Sequence, residues 1–189
     1  MPDKLFAGID EVGRGCLAGP VVSCVVILKT NIKKTLLRDS KMISFKNRIN
    51  IADHIKKNSW FSIGLASVNE IDKYNILQAS LLSMERAIKK LKKRPDIFLI
   101  DGIHSPKKIK NCKTIIKGDQ KIKCISAASI VAKVYRDLLM IKLSKKYPKY
   151  KWHKNFGYGT FQHLNALKKF GVTSYHRKTY KPVHNILSK

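Results

Sequence analysis

Asp10 and Glu11 are adjacent carboxylates, followed at once by the glycine-framed guanidinium of Gly13-Arg14-Gly15. Two further aspartates have matching settings. Asp101 closes the apolar run Ile97-Phe98-Leu99-Ile100, and Asp119 follows the run Cys112 to Ile116 through Lys117-Gly118. In an open α/β sheet, sites form in the crevice outside the strand ends. Parallel neighbours ending in Asp101 and Asp119 therefore aim two carboxylates at one spot, and Asp10 joins them if the first strand lies alongside. Alternation along a strand sends Asp10 and Glu11 to opposite faces. Glu11 rejoins the group through its longer reach or through a strand break, which Gly13 permits. Crowded carboxylates repel one another unless neutralised, and hard oxygen donors suit Mg²⁺ or Mn²⁺ better than zinc. A strand-ending turn explains any one of these aspartates. All four, in a chain with 12 Asp+Glu against 39 Lys+Arg, point to a metal site.

The surroundings of those acids are strongly basic. A net charge of +27 favours a polyanion as partner, through counterion release and steering. Abundant Lys, Ile and Asn also reflect a compositional bias, so part of the lysine excess carries no functional meaning. With 44% hydrophobic residues the chain is globular, and 189 residues suit one domain. Cys16, Cys24, Cys112 and Cys124 form no CxxC pair and no zinc spacing, which suits buried free thiols. No signal-peptide core and no bilayer-length apolar stretch is visible, so a soluble, cytoplasmic protein is expected.

The elements that must carry the acids follow from periodicity. Leu5 to Ile9, Pro20 to Leu28 and Trp60 to Val68 read as strands. Leu77, Leu81, Met84, Ile88 and Leu91 recur at helical spacing, ahead of Pro95. The runs ending at Asp101 and Asp119 supply two more strands. Ala127, Ile130, Val131, Val134, Leu138 and Ile141 mark a second helix, whose small-residue start allows close packing. A basic aromatic segment follows, then a short helix from Thr160 to Phe170 and a His/Arg/Lys-rich tail. The sum is one α/β domain with a mixed sheet.

Taken together, GIDEVGRG from Gly8, AGPV from Ala18, RDSK from Arg38, IDG from Ile100, KGD from Lys117, SAASIVAKVYRD from Ser126, GYGT from Gly157 and HRKTYKPV from His176 resemble bacterial ribonuclease HII, the type 2 ribonuclease H family. The resemblance runs over nearly the whole chain. It implies an RNase H-like mixed five-stranded sheet flanked by helices, with a small C-terminal helical portion. Residues 1–189 would form a single catalytic domain, with a basic substrate-contacting portion from about 150 to 189. It also implies endonucleolytic cleavage of the RNA strand of RNA–DNA hybrids, and incision 5′ of ribonucleotides in duplex DNA. Two Mn²⁺ or Mg²⁺ ions would act, leaving 3′-hydroxyl and 5′-phosphate ends. The matching metal ligands are Asp10, Glu11, Asp101 and Asp119, with Asp137 a rival for the fourth place. An i,i+4 ion pair with Lys133 is the ordinary explanation of Asp137, and Asp119 is preferred because its motif matches the family's ligand and it ends a strand.

Gly13, Arg14 and Gly15 match the segment that reads the ribonucleotide, and Tyr158 matches a tyrosine stacking on the following deoxyribose. Lys41, Lys117, His163, His176 and Arg177 are candidate phosphate contacts. Met42-Ile43 depart from the Lys-Leu usual in relatives, at a substrate-side position. The expected partners are hybrid and ribonucleotide-containing duplexes, and the expected state is a monomer. Two other readings stand beside this one. A basic nucleic-acid-binding protein without chemistry is disfavoured by strand-end carboxylates, which penalise phosphate binding unless metal is present. Ribonuclease HIII is disfavoured by Gly13-Arg14-Gly15 with Tyr158 and by the lack of an N-terminal substrate-binding domain.

Overall fold

The computed structural model describes residues 4–29, 37 and 44–188. Lys41 and the Met42-Ile43 departure lie outside the described residues. Five strands form one sheet: β1 (Phe6–Val12), β2 (Val21–Leu28), β3 (Ser59–Ala66), β4 (Ile97–Asp101) and β5 (Cys112–Ile115). Their order is β3-β2-β1-β4-β5. The first three strands are antiparallel neighbours, whereas β4 runs parallel to both β1 and β5. That arrangement puts the C-terminal ends of β1 and β4 side by side. Strand β1 continues past Ile9 through both acids and ends only at Gly13, whose φ of 96° few other residues adopt.

Helix α1 (Phe45–Lys57) precedes β3, and α2 (Val68–Lys90) follows it. Val68 was expected in the strand. It is helical because Ser67 and Glu70 form a capping box, each side chain accepting from the other's backbone amide. Asn75, with φ 68° and ψ 166°, kinks α2 just before its apolar stretch. One-turn α3 (Gly118–Lys121) leads into the long α4 (Lys123–Lys146). The remaining helices are α5 (Trp152–Asn155), α6 (Phe161–Phe170), whose N-cap is Thr160, and α7 (Lys181–Leu187).

The two sheet faces have separate cores. Ala7, Ile9, Val25, Ile27 and Ile100 meet Met84 and Ala87 of α2. On the opposite face, Cys24 and Val26 meet Ala52 and Ile55 of α1 and Ala127, Val131 and Val134 of α4. Gly8 faces the start of α4, where a Cβ would collide with the backbone of Cys124 and Ile125. The strand and helix are therefore closer than any side chain at position 8 allows. A third core joins Leu17, Ala18 and Met140 to Tyr150, Trp152, Leu167 and Val183. The C-terminal helices thus pack on α4 and on the segment just after Gly15. All four cysteines are free, and among the described residues no helix is long and apolar enough to cross a membrane.

Candidate active site

Alternation along β1 decides where the first two acids go. Gly8 and Asp10 face α4, while Ile9 and Glu11 face α2. Asp10 is only 6% exposed; it is hydrogen-bonded to Ser129 of α4, and its Oδ1 accepts the Glu11 amide at 2.7 Å. Burial, reinforced by the negative charges of Glu11 and Asp101, pushes its carboxyl up to about 8. Glu11 is raised by burial too, although Arg14 pulls it back. Its Oε1 meets Arg14 Nη1 at 3.3 Å, whereas Oε2 is buried without a hydrogen-bond partner among the described residues. Asp101 ends β4, and its Oδ1 accepts the Gly118 amide at 2.7 Å.

Glu11, Arg14, Asp101 and His104 line one cleft of about 160 Å³, backed by Leu77, Ser80, Leu81 and Met84 of α2. Asp119 does not line this cleft. It sits in the first turn of α3, beyond the end of β5, and faces a shallow depression with Leu37 and Ser126. Strand β5 stops at Ile115 and the chain turns before Asp119, which sits one residue beyond the Gly118 amide that bonds Asp101. Among the described residues, no three His, Cys, Asp or Glu side chains stand together as a metal-holding group. Asp10, Glu11 and Asp101 each turn an oxygen toward a protein donor. The donor set nevertheless fits a hard divalent cation. Three carboxylates within mutual electrostatic reach, one bearing an orphaned buried oxygen, lack positive charge rather than space.

Beyond Glu11 the chain rises to the surface. Arg14 and Gly15 are exposed, and Cys16 forms an isolated antiparallel bridge with Tyr158. The Tyr158 ring is 38% exposed, with the Lys133 ammonium 5.7 Å from its centre. The structure thus brings Gly13-Arg14-Gly15 and Tyr158 together although the chain separates them widely. Lys117 is also exposed, in a left-handed conformation at φ 55°.

Three of the expected phosphate contacts lie in the interior. His163, His176 and Arg177 are each 0% exposed. The Trp152 indole and His176 both meet His163 Nε2 at 3.1 Å, and His163 Nδ1 lies 2.8 Å from the Tyr158 carbonyl. Burial lowers both imidazoles, His176 to about 3, so neither carries a charge to offer a phosphate. Arg177 spends its donors on backbone carbonyls near Gly13. Their polarity within a basic segment suggested a solvated face; the aromatic residues interleaved there were the available signal for a core. Asp137 is buried and accepts from Lys133 Nζ at 2.7 Å, an i,i+4 pair within α4. Ser129 and Arg136 fall within the SAASIVAKVYRD run, but nothing in the sequence singles them out from its other residues, and His104 belongs to no motif.

Comparison with known proteins adds to this geometry. A family model described as Ribonuclease HII matches residues 7–183. The ribonuclease HII of Pelagibacter ubique is 55% identical over 186 residues, covering 97% of this chain and 100% of that protein. The solved ribonuclease H2 of Pyrococcus horikoshii OT3 matches with a TM-score of 0.79 at 25% identity, over 97% of each chain. Bst-RNase HIII, solved with Mn²⁺, reaches a TM-score of 0.71 at 14% identity, over 98% of this chain and 70% of that one; at such identity the likeness is of fold alone.

Proposed function

This chain belongs to the ribonuclease HII family and is a nuclease; on that footing we propose that it cuts the RNA strand of RNA–DNA hybrids and incises duplex DNA 5′ of embedded ribonucleotides. The products are a 3′-hydroxyl and a 5′-phosphate. The observation that carries this reading is the orphaned, buried Oε2 of Glu11, a carboxylate that lines the cleft with Asp101 and acts electrostatically on Asp10.

Asp10, Glu11 and Asp101 are the residues that would hold Mg²⁺ or Mn²⁺, and we assign the fourth ligand to Asp119, next to the glycine whose amide already fixes Asp101. Divalent ions held there would supply charge neutralisation at a phosphate and an activated water for its hydrolysis. Around them, Ser129 and the Glu11 amide fix the rotamer of Asp10. Arg14, exposed and paired with Glu11 at 3.3 Å, is free to swing onto a phosphate, where its planar fork gives two bonds. The exposed amides of Arg14 and Gly15 meet the ribose, whose 2′-hydroxyl distinguishes RNA from DNA. Tyr158 offers its ring to the next sugar. Excess positive charge elsewhere draws the duplex in.

The test is a duplex containing one ribonucleotide, offered to the wild type and to Asp10→Asn with Mg²⁺, Mn²⁺ or chelator. The wild type is expected to cut beside the ribonucleotide only with metal. Asp10→Asn is expected to bind the duplex but to cut at least ~100-fold more slowly. Equal cutting by the two proteins, or none by the wild type with either metal, overturns the reading.

A further inference from the structure

Arg177 is fully buried, and among the described residues no carboxylate pairs with it. Burying a guanidinium without a counter-ion is costly unless its donors are satisfied. Here backbone carbonyls take most of them. Nη2 donates to Gly13 O at 2.6 Å and to Gly19 O at 2.9 Å. Nη1 donates to Arg14 O at 2.8 Å and to the Tyr180 hydroxyl at 3.0 Å, and Nε donates to Gly19 O at 3.0 Å. The Tyr180 hydroxyl in turn donates to Arg14 O at 2.6 Å.

This pattern has a stereochemical consequence. In a planar trans peptide the N–H points opposite to the C=O. Pulling Gly13 O and Arg14 O inward therefore turns the amides of Arg14 and Gly15 outward. Both residues are exposed, neither amide donates to a described residue, and the space beside Gly15 is open. Two successive outward N–H groups form a concave donor site. Arg136 braces the other flank of the same loop, donating to Pro20 O at 3.0 Å, Ala18 O at 2.9 Å and Phe156 O at 2.8 Å. The second guanidinium thus ties the loop to the segment carrying Tyr158.

We propose that Arg177 is a positioning residue for ribose discrimination: its guanidinium holds the Gly13 and Arg14 carbonyls from beneath, so that the Arg14 and Gly15 amides face the sugar. The proposal rests on the function given above. Lysine at this position keeps the charge, but its single nitrogen does not reproduce the planar fork that spans both carbonyls. Tyr180→Phe removes only the hydroxyl that shares the Arg14 carbonyl.

The experiment compares wild type, Arg177→Lys and Tyr180→Phe at a temperature where each is folded by circular dichroism. It measures binding with Ca²⁺ to a duplex bearing one ribonucleotide and to the all-DNA duplex, and separates kcat from KM for incision with Mn²⁺. Arg177→Lys is expected to lose on the order of 10- to 100-fold of the preference for the ribonucleotide duplex, with DNA affinity little changed. Tyr180→Phe loses a smaller part of it. If Arg177→Lys is folded and keeps the wild-type preference, with only its Tm lowered, the positioning role is wrong. If Arg177→Lys does not fold, Tyr180→Phe decides, and unchanged preference there overturns the proposal. A wild type with no preference and no incision instead refutes the function on which it rests.

Discussion

At Asp10 the needs of folding and of the proposed metal binding are opposed. Burial holds its proton up to about 8 in the metal-free protein, against 3.8 when unperturbed. Between those values the native state binds more protons than the unfolded chain, so metal-free stability falls as pH rises through that window. Asp10→Asn removes this contribution. The variant should exceed the wild type by roughly 1–3 kcal/mol at pH 8, with the gap closing toward pH 4. Urea titrations in chelator at both pH values check it, and a pH-independent difference counts against the burial argument. Added Mn²⁺ should raise the wild-type Tm more at pH 8 than at pH 5, because the ligands must shed protons. At this scale the acids were legible in the sequence: they are scarce, and Asp10 and Asp101 end apolar runs. Arg177 was not, because its partners Leu17 and Gly13 lie far away in the chain; His163 and His176 were legible only through the aromatic residues interleaved with them.

Helix α4 and strand β1 place Asp10 against Ser129, and Gly8 sets their spacing. Gly8→Ala forces a methyl group into the α4 backbone. It is expected to cost about 1–3 kcal/mol and to reduce incision beyond the loss of folded protein. Denaturation and activity per folded molecule, measured together, test that coupling; undiminished activity argues that the spacing is not critical. Helix α6 and the loop before α7 meet through the two buried histidines. With His176 lowered to about 3 from 6.5, its contribution to stability is complete above pH 6.5 and is lost progressively as pH falls toward 3. A Tm series from pH 7 to pH 4 should fall less steeply for His176→Phe than for the wild type. Parallel slopes would show that burial does not hold the imidazole neutral. Long periodic elements such as α4 were legible. Strand β5 was less so, since only its two end residues are half-buried at the sheet edge, and the turn that carries Asp119 off the strand has no hydrophobic signature.

Over the whole molecule, a net charge of +27 is expected to act through many charges together rather than through any single contact. Duplex affinity should fall on the order of a thousand-fold between ~50 and ~200 mM salt, with log K linear in log salt. The preference for a ribonucleotide should hardly move if, as proposed, neutral backbone amides read the sugar. Anisotropy titrations on both duplexes separate the two quantities; a preference that melts away with salt implicates charged side chains instead. The mixed five-stranded sheet was legible as a class because strand and helix periods differ. The joining of Gly13-Arg14-Gly15 to the C-terminal segment was not, because local periodicity carries no record of partners 163 positions apart. That span also orders events during synthesis. A nascent chain displays the strand that carries Asp10 and Glu11 early, but the loop beside it has no brace until Arg177 has emerged from the ribosome. Truncated or stalled products should therefore be poor at telling RNA from DNA, even where their sheet has already formed.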